Sequence, residues 1–173
     1  MELLGQIGER QIFYCHIRSD EKWFDAISFD NWIAFTIADV EDKQLVQSMT
    51  VGCIERGVCY ACCTGQLASL TEDYFDEEIV WQQVQYQEKT GKPQNYEATP
   101  MTSYHNNFSE GFWFAATAPN QIINGNCLTS HHVVCIDCTQ HKVRGHLFDL
   151  IHKINCGWLP SDDDLEKPIY DTN

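Results

Sequence analysis

Two runs in this chain leave little freedom in how it can fold. Residues 31–39 read NWIAFTIAD and residues 58–65 read VCYACCTG. Each is apolar almost throughout and ends on polar residues. A strand with one wet face alternates apolar and polar positions, whereas a strand covered on both faces does not need to. Runs of this length therefore predict strands buried on both sides, as in a mainly parallel sheet with helices above and below.

The stretches between and around these runs fit that plan. Residues 11–17 (QIFYCHI) predict a strand and residues 20–29 a short helix. After residues 31–39, Asp39 is a candidate N-cap. The segment that follows places Leu45, Met49 and Cys53 on one stripe, widened by Val46 and Ile54, with Gly57 as the stop. After the second buried run, Ser69 and Glu72 have capping-box spacing before a long helix that runs to about Lys89. Residues 101–106 predict a strand, residues 109–119 a short helix, and residues 120–130 a polar loop. A last buried strand falls at His132–Asp137. It leads into an amphipathic helix over 141–154, with Val143, Leu147, Leu150 and Ile154 inward.

This succession predicts an α/β fold: a three-layer, Rossmann-like, doubly wound sandwich with a mainly parallel sheet of four to five strands. Residues 1–158 would form a single domain and residues 159–173 a loose polar tail. The three buried strands should be mutually parallel. The chain of 173 residues, with no internal repeat, has the size of one domain with a core.

The stretch His131–His141, HHVVCIDCTQH, has CxxC spacing among histidines. Zinc needs both sulfurs aimed at one point and further ligands to complete four. Val133, Val134 and Ile136 around Cys135 favour a strand, in which residues 135 and 138 face opposite ways. Cys59 and Cys62 in the CYACC run are expected to suffer the same geometry. A redox pair would need both cysteines at a helix N-terminus. The nine cysteines, an odd count set in apolar runs, read instead as reduced core residues. No metal and no cofactor is expected. Pairing of His105 with Cys63 or Cys138 as a nucleophile and base has no supporting motif.

Glycine-rich phosphate loops, GxSxG and HExxH are absent. A net charge of -14 argues against nucleic acid and anionic membrane as partners and favours a basic protein. No apolar run approaches the ~18 residues of a membrane span. The N-terminus, MELLGQIGERQ, lacks the pattern of a signal peptide, so a cytoplasmic protein is expected.

Two sets of residues are candidates for function. Glu72, Asp73, Asp76, Glu77 and Glu78 cluster at the start of the long helix, with Trp81 and other aromatics close by. Acids there also suit the helix dipole. Aromatic anchors in an acidic rim suit docking of a basic partner, as in an immunity protein or antitoxin-like inhibitor. The other set is Asp39, Thr64, Gly65, His105 and Asn106, which would gather at the carboxyl ends of the strands. They could serve a small-ligand or nucleotide-handling enzyme. With no catalytic signature present, the binding module is favoured over the enzyme.

The stretch MTSYHNNFSEGFWF, followed by an apolar strand and an amphipathic helix, resembles an uncharacterised bacterial family with a small Rossmann-like domain. The resemblance spans about Trp32 to Ile154. It implies the fold and carries no activity.

Overall fold

A computed structural model describes residues 1–18, 23–39, 43–94, 99–123, 126–161 and 166–171. The fold is α/β. Among the described residues there are eight strands: β1 (Glu2–Ile7), β2 (Arg10–His16), β3 (Trp32–Ile37), β4 (Val58–Thr64), β5 (Met101–Tyr104), β6 (Gln121–Ile123), β7 (Asn126–Leu128) and β8 (His132–Asp137). Four α-helices accompany them: α1 (Lys43–Glu55), α2 (Ala68–Thr90), α3 (Phe108–Thr117) and α4 (Arg144–Asn155).

Six strands make one sheet in the order β1-β2-β8-β3-β4-β5. Every pairing from β2 to β5 is parallel, and only β1 runs antiparallel, beside β2. The sheet is thus one strand wider than the widest expectation. The extra strand is β1, reached through a tight turn at Gly8, whose φ of 55° suits glycine.

All six residues of β3 are buried. Their side chains divide by position between two cores. Ile33, Phe35 and Ile37 join Val133 and Cys135 of β8, Phe108 and Phe112 of α3, and Leu147 and Leu150 of α4. Trp32 and Ala34 join Val134 and Ile136 of β8, Val46, Met49 and Cys53 of α1, and Phe75 of α2. Each face of the sheet therefore has its own apolar core, with α1 and α2 on one face and α3 and α4 on the other.

Several expectations need correction. The helix expected over 20–29 is a single 3-10 turn, Trp23–Ala26; residues 19–22 lie outside the described residues. The capping box does not form. Helix α2 starts at Ala68, and its N-cap Leu67 makes no side-chain bond. Asp39, expected to cap the helix after it, accepts the Gln66 N–H of the next connection at 2.6 Å; the cap itself falls on residues outside the described ones. Residues 40–42, through which that helix was expected to begin, are outside the described residues. The loop expected over 120–130 contains the antiparallel pair β6–β7. Cys59 and Cys62 do not oppose each other across the sheet. A register shift between Trp32 and Ile33, opposite Val58–Tyr60, puts both in the same core.

The polar segment after α4 is not loose where it is described. Glu166 O accepts Phe108 N–H at 2.9 Å, and the Ile169 N–H donates to His146 Nδ1 at 2.9 Å. Asp171 N–H donates to Lys142 O at 2.5 Å, and Gly145 N–H donates to Asp171 Oδ1 at 2.8 Å. Residues 166–171 form a strap across the starts of α3 and α4. Among the described residues no helix is long and apolar enough to cross a membrane.

Candidate functional sites

The strand order decides where a ligand could enter. From β3 the chain steps outward to β4 and β5 through α1 and α2 on one face. It returns through α3 on the other face to β8, which sits between β2 and β3. Neighbouring connections thus leave to opposite sides at the carboxyl ends of the parallel strands, and a crevice opens there. A cavity of about 230 Å³ occupies that end. Asp39 after β3, Gly65 and Gln66 after β4, and Asn106 after β5 line it. Phe108 and the strap residues Glu166, Lys167, Pro168 and Tyr170 close it.

Gly65 is required there on two counts. Its φ is +94°, and a Cβ would fall 2.3 Å from Asp39 Oδ1 and 2.9 Å from Ala38 O. Burial holds the Asp39 carboxyl above its ordinary range; its bond from Gln66 N–H opposes that, Asp137 adds to it, and Lys167 opposes it.

Of the five strand-end residues named from sequence, Asp39, Gly65 and Asn106 line the cavity. Thr64 and His105 are scaffold. Thr64 is fully buried and donates to Thr36 O at 2.9 Å. His105 has both ring nitrogens engaged, Nδ1 with Glu110 Oε2 at 2.8 Å and Nε2 with Ser103 Oγ at 3.0 Å. Gly111 lets α3 sit down on this pair, since a Cβ there would lie 2.8 Å from both His105 Cβ and Thr64 Cγ2. The Ser103–His105–Glu110 run has the connectivity of a nucleophile, base and orienting acid. Ser103, however, lies against Tyr60 and Cys62, and it does not line the cavity.

The cysteines of β4 offer no thiolate to such a site. Cys135 and Cys138 belong to cores on opposite faces of the sheet, so they cannot share a metal. Burial pushes the Cys63 thiol up to about 12 and the Cys59 thiol up to about 11. Among the described residues no group of three or more potential ligands could hold a metal ion.

The second candidate surface lies on the other side of the molecule's chemistry. The first half of α2 buries Ala68, Thr71 and Phe75. Its second half rises off the sheet, leaving Val80 and Trp81 more than half exposed (57% and 56%). A groove of about 520 Å³ runs between α1 and α2, lined by Val51, Glu55, Glu78, Trp81, Gln85 and Tyr86 among others, with Lys89 at one end. A smaller hollow adjoins it and adds Tyr74 and Glu77.

Helical spacing divides the six residues named from sequence. Glu77, Glu78 and Trp81 line the groove or its extension. Asp76 turns toward β5 and accepts from Thr102 Oγ1 at 2.8 Å. Glu72 stands beside it with a carboxyl raised by burial and by Asp76 and Asp73, while His105 opposes the shift. Asp73 is exposed. Among the described residues none of these five acids forms an ion pair with Lys or Arg. Sequence reasoning missed the α1 wall of the groove and the strap. The strap's only sequence signal is the apolar pair Ile169–Tyr170 within a polar end.

No curated protein matches this chain. Residues 12–154, from β2 to the end of α4, match a family model that covers Asp39, Gly65, Asn106 and both walls of the groove but not the strap. The chain therefore belongs to the family described as a domain of unknown function (DUF7684).

Proposed function

We propose that this chain is a protein-binding module of the bacterial immunity or antitoxin-like type, acting in the cytoplasm. It docks a basic partner in the groove between α1 and α2. The observation that carries the proposal is Trp81. It stands 56% exposed with Val80 on the part of α2 that leaves the sheet, beside Glu77 and Glu78, which lack cation partners among the described residues. A surface helix ordinarily turns its large apolar side chains inward. Exposed aromatics in a charged rim are the usual anchors of an interface. The net charge of -14 supports a basic partner, because complementary charge speeds encounter. The two apolar cores support a three-layer, Rossmann-like scaffold beneath this surface.

The test is capture of the partner from cells that express the protein, followed by titration of that partner against variants. A partner of net positive charge is expected. Trp81→Ala should weaken it by roughly 2 kcal/mol, as hot-spot truncations do. Glu77→Lys with Glu78→Lys should weaken it further and flatten its salt dependence. A partner that binds all variants equally would sink the proposal.

A second reading is favoured by one observation, the strand-end cavity lined by Asp39, Gly65 and Asn106. It supports a small-ligand site at the carboxyl ends of the strands.

A further inference from the structure

The strand-end cavity has a chemistry that narrows its ligand. Two groups of opposite charge face it. Asp39 comes from the end of β3, and Lys167 comes from the strap. They do not pair with each other. Glu166 adds a second acid. The remaining surface is largely apolar, from Phe108, Pro168 and Tyr170. The Phe108 ring is held flat by stacking on His146, with centroids 5.0 Å apart and planes at 22°.

Phosphate is poorly suited to this place. At the turn into α2, the Gln66 N–H that could face an anion is already taken by the Asp39 carboxylate. A phosphate in that position would meet a fixed negative charge instead of free donors. The cavity volume of about 230 Å³ also falls below the ~300–1,000 Å³ usual for larger ligands.

We infer that the cavity binds a free α-amino acid with an apolar side chain, Asp39 receiving the ammonium and Lys167 the carboxylate. The side chain lies against Phe108 and Tyr170. Asn106, exposed at the rim, is available to hydrogen-bond either polar end. The inference rests on the small-ligand reading and replaces its nucleotide by a zwitterion.

Calorimetric titration of the full chain with the standard L-amino acids tests it, with adenosine and its monophosphate alongside. Saturable binding is expected for leucine- or phenylalanine-like members. N-acetyl-L-phenylalanine lacks the ammonium and 2-phenylethylamine lacks the carboxylate, so each should bind at least about tenfold more weakly. Asp39→Asn keeps an oxygen for the Gln66 N–H and loses the charge. It should weaken the amino acid by a similar factor while leaving the unfolding temperature near that of the native chain. Equal binding of the two single-ended analogues would overturn the roles of Asp39 and Lys167. Binding of the nucleoside or nucleotide without any amino acid would overturn the ligand class and leave a small-ligand site standing. No binding by any compound would overturn both.

Discussion

Asp137 closes the buried strand β8 with a carboxylate that is fully buried. It survives there because four donors converge on it. Tyr14 O–H reaches Oδ2 at 2.7 Å and Val143 N–H reaches the same oxygen at 3.2 Å. Thr139 supplies its N–H at 2.9 Å and its hydroxyl at 2.7 Å to Oδ1. Burial, with Asp137 beside it, drives the Tyr14 phenol well above its ordinary range, so that it remains a donor. Asp137→Ala would strand these donors, at a cost of roughly 3 kcal/mol measured by urea unfolding. A loss under about 1 kcal/mol would show that water replaces the carboxylate. Two residues earlier, Cys135 is fully buried with a thiol pushed up by desolvation. Cys135→Ser should cost roughly 1–3 kcal/mol in the same assay, since a hydroxyl enters an apolar core. Cys135→Ala should cost less. The strand character of Cys135 was legible from its β-branched neighbours. The role of Asp137 was not, because its phenolic donor lies 123 positions away.

At the scale of elements, the legible ones are those that bury two faces or a full stripe. The strands at Trp32–Ile37, Val58–Thr64 and His132–Asp137 are mutually parallel as expected, the first lying between the other two. Helix α1 buries the expected Val46, Met49 and Cys53, and α4 buries Leu147 and Leu150. What escaped was short or peripheral. Strand β1 sits at the sheet edge, and β6 and β7 span three residues each, too few for a period to show. The Asn124–Gly125 dipeptide was the available hairpin signal. The strap escaped because each of its ties has a backbone group on at least one side, and the two side chains that join in, His146 and Asp171, lie 23 and 26 positions from their partners. One of those ties titrates. His146 accepts the Ile169 N–H through Nδ1, and burial lowers its pKa, with Lys153 acting the same way and Glu166, Asp149 and Asp171 opposing. A histidine lowered on folding binds fewer protons in the folded chain than in the unfolded one. Its contribution is therefore complete above the unfolded value of about 6.5 and is lost as the pH falls through the lowered folded value. Thermal unfolding from pH 7.5 to below pH 6 should fall more steeply for the native chain than for His146→Gln. Parallel curves would show that His146 does not titrate with the strap.

For the whole molecule, charge and shape point the same way. A chain of net charge -14 carries four exposed large apolar or aromatic residues, Val80, Trp81, Val84 and Tyr86, on a helix that outruns its sheet, next to acids without cation partners among the described residues. The acidic cluster was legible in sequence. Its division into a groove-lining pair and a pair turned toward β5 was not, because that depends on which side of α2 meets α1. Phe148 of α4 provides an internal comparison, being 53% exposed on an element packed against the opposite face of the sheet. Replacement of residue 81 by a photo-crosslinking amino acid in living cells, with residue 148 as the control position, tests the docking surface most directly. Docking in the α1–α2 groove predicts a light-dependent adduct with one basic protein from position 81 and none with that protein from position 148. An adduct from position 148 alone, or no adduct from position 81, would contradict it.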